Sequence, residues 1–160
     1  MTGKLLKLLE KDARAPRSEL ALKLGVGEDE ITAAINELER QGVIVGYHTV
    51  IDWDKTDSET VTALIDVKVT PQRDMGFDRV ARRIYQFDEV ESVYLMSGGY
   101  DLSVLITGRT MKEVALFVSQ KLSTMESVSG TATHFLLKKY KEGGLIYDCF
   151  DDEQERIQLV

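Results

Sequence analysis

SELALKLGVGEDEITAAINELERQGVIVGY, Ser18 to Tyr47, is the stretch that decides the fold. It reads as two short helices joined by Gly25-Val26-Gly27 and followed by a tight hairpin, the order of a winged helix-turn-helix. In the second of these helices Ile31, Ala34, Ile35 and Leu38 recur at i, i+3, i+4 and i+7, which turns one apolar stripe to a core. Thr32, Ala33, Asn36 and Arg40 then face outward, where such a module meets DNA. The same helix holds Glu28, Asp29, Glu30, Glu37 and Glu39, so the element shaped to enter a groove is acidic. Carboxylates in a first helical turn also favour the macrodipole, which gives the first three a purely structural reading.

Upstream, Leu5, Leu6, Leu8 and Leu9 form the apolar stripe of a first helix that must end before Pro16, because the residue before a proline disfavours helical geometry. Ser18 is the expected cap of the second helix, Leu20, Ala21 and Leu24 face inward, and Gly25 stops it. Gly42 ends the third helix, and Val43 to Ile51 reads as the wing hairpin with its turn near Gly46. Asp54 to Glu59, DKTDSE, breaks every apolar period and marks a boundary.

Beyond that boundary the period changes to two. Val61, Ala63, Ile65, Val67 and Val69 alternate with polar residues as a half-buried strand closed by Pro71. Phe77, Val80, Ala81 and Ile84 share a helix face. Val90 to Met96 and Asp101 to Thr107 are strands around Gly98-Gly99. Met111, Val114, Ala115, Val118 and Leu122 mark another helix, and Thr131 to Tyr140 a last strand. The order βαββαβ predicts an α+β chain: a winged helix-turn-helix, then a ferredoxin-like domain with an antiparallel sheet and both helices on one face. The expected domains are 1–53, a linker at 54–60, 61–142, and an acidic tail at 143–160. The uncovered sheet face, with Leu64 and Leu105 on it, invites pairing with another copy.

The chain has 160 residues, of which 43% are hydrophobic, and a net charge of -7. Residues 1–53 carry 7 basic and 9 acidic side chains, whereas 143–160 carry 1 and 5, so the acidity is concentrated in the tail. A near-neutral DNA module draws little affinity from counterion release and gains from several copies on one DNA. No apolar run reaches the roughly 18 residues of a membrane span and no signal peptide is visible, so a cytoplasmic protein without a membrane partner is expected. Cys149 is the single cysteine, which excludes an intramolecular disulfide and a multi-cysteine metal site. His48 and His134 lack ligand-spaced neighbours, no Gly-rich phosphate loop precedes a helix, and no nucleophile motif is present. No cofactor, no metal and no enzymatic activity are expected.

LERQGVIVGYHTVID at Leu38 to Asp52, SGGYDL at Ser97 to Leu102 and TATHFLLKK at Thr131 to Lys139 resemble, in turn, the wing signature, the Gly-x-x-Asp turn and the last strand of the Lrp/AsnC family of transcription regulators. The resemblance runs from about Leu5 to Lys141. It implies a homo-oligomer, a dimer or ring of dimers assembled through the C-terminal sheets, that binds double-stranded DNA and an amino-acid effector between protomers. Family recognition helices commonly carry several Arg or Lys where this one has Thr32, Ala33, Ala34, Asn36 and Glu37. A related branch includes sirohaem decarboxylases, whose His-Asn-Tyr-type motif is missing here.

Two constellations carry chemistry. Asn36 suits bidentate contact with adenine, Thr32 a thymine methyl, and Arg40, Arg17 and Lys23 suit phosphates. Solvation, or a helix C-terminus in the case of Arg40, explains each of them equally well. The other constellation is Ser97, Gly98, Gly99, Tyr100 and Asp101 with Thr131 and Thr133. Glycines in a strand-to-strand turn often only supply positive φ. An amino acid needs a carboxylate for its ammonium and amides or hydroxyls for its carboxylate, and the resemblance assigns the effector pocket to this turn. The alternative is a sensor, or hetero-oligomer partner, whose acidic helix has lost most DNA affinity; a more distant one is a small, sirohaem-decarboxylase-like enzyme on the same scaffold.

Overall fold

The computed structural model describes residues 1–70 and 76–147. Pro71, Cys149 and the tail from 148 onward lie outside the described residues. The chain forms two compact units, Met1–Val50 and a second beginning at Ile51, each with its own apolar core.

The first unit is three helices: α1 (Thr2–Lys11), α2 (Arg17–Leu24) and α3 (Glu28–Arg40). Leu5, Leu9, Leu20, Ala21, Ile31, Ile35 and Leu38 are buried together, which is the periodicity made solid. Gly25 sits at φ 69 and ends α2, a left-handed geometry that a Cβ would strain. Two expectations are corrected. Ser18 is not the cap: α2 starts at Arg17 behind Pro16, whose ring fixes φ at -59 and launches the helix two residues earlier with no side-chain cap. The wing has no paired strands between 43 and 52. A two-residue hairpin turn needs positive φ, which Gly46 does not adopt, and a lone two-stranded ribbon is marginal in water. The segment is instead tied to α3, with the Val43 and Ile44 amides donating to the Leu38 carbonyl and the Tyr47 hydroxyl to Glu39 Oε1 at 2.8 Å.

The second unit is β1 (Val61–Val69), α4 (Phe77–Ile84), β2 (Val90–Leu95), β3 (Leu102–Gly108), α5 (Met111–Phe117) running into a π turn (Val118–Leu122), and β4 (Val128–Phe135). The four strands form one antiparallel sheet in the order β2-β3-β1-β4. Ala63, Ile65 and Val67 are fully buried against Val80 and Ile84 of α4 and Val114 and Phe117 of α5. Along β1 the alternate residues Thr62, Leu64 and Asp66 are only half-buried, and Leu64 faces Leu105 directly across β3. The helices therefore cover one sheet face only. A short ribbon, β5 (Lys141–Glu142) and β6 (Leu145–Ile146), comes after β4.

The last strand of the sheet runs from Val128 to Phe135, earlier than Thr131 to Tyr140: its pairing with β1 starts at Val128 opposite Val69 and closes with the Leu136 amide donating to the Thr62 carbonyl at 2.9 Å. On α5, Ala115 is exposed and Phe117 takes the core position, where its ring meets Phe87 edge-on at 5.6 Å. Tyr147 is nearly buried and donates its hydroxyl to Glu142 Oε2 at 2.5 Å, a bond to a carboxylate that pushes its pKa up to about 12.

Candidate DNA and effector surfaces

On α3 the outward residues are exposed, but their polar groups are unequally free. Thr32 spends its hydroxyl proton on the Glu28 carbonyl at 3.0 Å, leaving its methyl and lone pairs outward. Arg40 is clamped by Glu37, Nε to Oε2 at 2.8 Å and Nη2 to Oε1 at 2.6 Å, and Gln41 adds a bond at 2.5 Å. The Arg40 and Gln41 hydrogen bonds hold the Glu37 carboxyl below its ordinary range. Asn36 is exposed with no side-chain partner among the described residues, so it retains both amide functions needed to read a base edge. Lys23 is paired with Glu19 at 2.5 Å. Arg17 lies near the Tyr47 hydroxyl, whose pKa is nonetheless raised by burial and by Glu39.

Sequence reasoning missed Lys4, Lys7 and Lys11. They are exposed on one face of α1, at i, i+3 and i+7, and none forms an ion pair among the described residues. Their spacing was the available signal.

In the second unit the Ser97 to Tyr100 turn is exposed, with Gly98 at φ 151. Asp101 anchors it. Its amide donates to the Val67 carbonyl at 3.0 Å, and its Oδ2 accepts from the Val69 amide at 2.8 Å, with Lys68 Nζ at 3.3 Å. The Val69 amide and then Lys68 hold this carboxyl below its ordinary value. Thr131 and Thr133 pair with Val67 and Ile65, so they belong to the helix-covered face. The turn and Thr131 share one end of the sheet but are separated by β1, about 10 Å at the usual strand spacing. Within one protomer they do not close a pocket together.

A cleft of about 490 Å³ lies at the other end of β3, floored by Ile106, Val114 and Phe117. Its charges are matched internally, Lys121 with Glu89 at 2.5 Å and Arg109 with Glu113 at 3.1 Å. No contiguous motif announces it. Among the described residues no helix is long and apolar enough to cross a membrane.

Residues 2–45 match the winged helix-turn-helix DNA-binding profile and residues 62–146 match that of the Lrp/AsnC ligand binding domain. A helical DNA module joined to such a sheet domain defines a DNA-binding transcription regulator. The chain belongs to the Lrp/AsnC family. It is 53% identical over 151 residues to the regulator YugG of Bacillus subtilis, covering 94% of this chain and 91% of that one. It is 31% identical to the regulator LrpA of Pyrococcus horikoshii, over 86% and 94% of the two chains. Its fold matches the M. tuberculosis feast or famine regulatory protein complexed with L-methionine, with TM-score 0.70, 23% identity, and 86% and 90% coverage. It also matches a Neisseria meningitidis transcriptional regulator in an L-Met complex, with TM-score 0.71, 20% identity, and 88% and 90% coverage.

Proposed function

We propose that this chain acts in the cytoplasm as a homo-oligomeric regulator whose DNA binding responds to an amino acid held between protomers at the Ser97 to Asp101 turn. The observation that carries the reading is that turn: four exposed residues presenting backbone amides at a sheet end, pinned by Asp101 to the Val69 amide. The ligand carboxylate takes the amides and the Tyr100 hydroxyl. Its ammonium displaces Lys68 Nζ, which is half exposed, from Asp101, while the Val69 bond keeps the turn in place. Thr131 and Thr133 belong to the same site through the neighbouring protomer, because β1 separates them from the turn within one. The L-methionine complexes of two fold relatives support an amino acid as the ligand class.

For DNA, Asn36 reads a base edge, Thr32 offers a methyl, and Arg17, Lys23 and Arg40 hold phosphates with help from α1. The Glu37 clamp on Arg40 favours a second reading, in which the chain senses its ligand and DNA affinity is weak. Selection of genomic fragments by the purified protein, with and without pooled amino acids, separates the two. Calorimetry with the twenty amino acids tests the site. Asp101→Asn keeps an acceptor for Val69 but loses the charge, so it should weaken binding roughly 10- to 150-fold, the worth of a charge-assisted hydrogen bond. An unaltered affinity removes Asp101 from the site.

A further inference from the structure

The outward face of α4 carries a charge pattern that the fold does not require. Phe77, Val80, Ala81 and Ile84 pack toward the sheet, and Arg79, Arg82 and Arg83 lie opposite them, all exposed. None of the three guanidiniums has a carboxylate within ion-pair distance among the described residues. Seven other Lys and Arg side chains do, Arg40 and Arg109 among them. Like charges at i and i+3 or i+4 on a helix repel one another. The macrodipole compensates at the C-terminal end for Arg82 and Arg83. It does the reverse for Arg79, which stands in the first turn, where a cation is unfavourable. Three adjacent guanidiniums, none in an ion pair among the described residues and with only Asp78 as an acid on their helix, form a cationic surface suited to an anion in a protein of net charge -7.

We infer that this arginine face binds the phosphate backbone of DNA, as a sequence-independent contact outside the winged helix. The inference rests on the DNA-binding reading above. Arginine's planar fork pairs with phosphate oxygens in a bidentate way, and clustered free cations are the source of counterion-release affinity. The recognition helix cannot supply that affinity, because its single arginine is clamped by Glu37 and its first turn carries three carboxylates. The α4 arginines thus add phosphate contacts from the second unit to those that the first unit supplies.

The test uses the full chain and fluorescence anisotropy on a genomic fragment and on a scrambled duplex of equal length, across a salt series. Arg79→Gln, Arg82→Gln and Arg83→Gln in one protein should weaken binding of both duplexes more than 10-fold. The log–log salt slope should become shallower by about 2 to 3, at about 0.9 per phosphate contact. Preference between the duplexes should not move, and the triple Lys variant should keep the wild-type slope. A triple Gln variant with the wild-type slope overturns the inference. So does one that binds DNA normally but sediments differently, which would assign the face to another protein surface. A wild-type protein that binds neither duplex at any salt defeats the DNA-binding reading itself, which is a different result from a slope that fails to change.

Discussion

α3 and α4 are built alike and charged oppositely. Each buries an apolar stripe, Ile31, Ile35 and Leu38 in one and Val80 and Ile84 in the other. Outward, α3 shows carboxylates and an arginine paired with Glu37, whereas α4 shows three arginines that form no ion pair among the described residues. The contrast teaches that the core fixes where a helix lies and says nothing about the sign of its outer face. A helix in the position of a DNA reader need not be the one that supplies the affinity.

The largest effects should come from the shared feature. Ile35→Ala and Ile84→Ala each remove a buried side chain and should cost about 2 to 5 kcal/mol. Calorimetric unfolding should show each lowering mainly the transition of its own unit, and a change of under about 1 kcal/mol from either would break the likeness. Next comes the base contact. Asn36→Ala should reduce discrimination between the preferred and a mismatched duplex by about 1 to 3 kcal/mol, with the salt slope unchanged. Unchanged discrimination would leave α3 without a reader. Smaller again, Glu37→Gln frees Arg40 and should steepen the salt slope by about 1, tightening all sequences together; if neither slope nor affinity moves, α3 lies away from the backbone.

The smallest effect is on acid stability. Asp101 has a lowered pKa in the folded protein, so its contribution is complete above the ordinary carboxylate value of about 3.9 and fades as pH falls through the lower native value. Acid unfolding followed by circular dichroism should be less steep below pH ~4 for Asp101→Asn. Parallel curves would mean that the turn does not depend on the charge.

The parts of the fold legible in the sequence were those written in local period. The stripes of α1, α2 and α3 and the alternation of β1 each use residues within a few positions of one another, so the buried sets could be named directly. What required distance was missed. The extent of β4 depends on its register against β1, from Val69 opposite Val128 to Ala63 opposite Phe135, and no local pattern encodes that. The wing failed because Gly46 permits a positive φ without compelling one. At the candidate site, SGGYDL marked the turn, but the Val69 amide that claims Asp101 lies 32 positions away. The lysine face of α1 and the arginine face of α4 were visible as spacing, and net charge by segment averaged them away.

The π turn after α5 shows how the chain keeps count. Continued as a regular helix from Val114 and Phe117, residue 121 would fall at 100° per residue on the core side, and that residue is a lysine. The wide turn, closed by the Ser123 amide on the Val118 carbonyl at 2.8 Å, absorbs one residue and delays the rotation. Leu122 therefore enters the core fully buried, and Lys121 swings to Glu89 with its ammonium over the Phe87 and Phe117 rings at 4.9 and 5.4 Å. The segment works like a leap day, one extra unit inserted so that the later residues stay in season. Removing Gln120 would return the helix to its ordinary calendar with the same leucine inside.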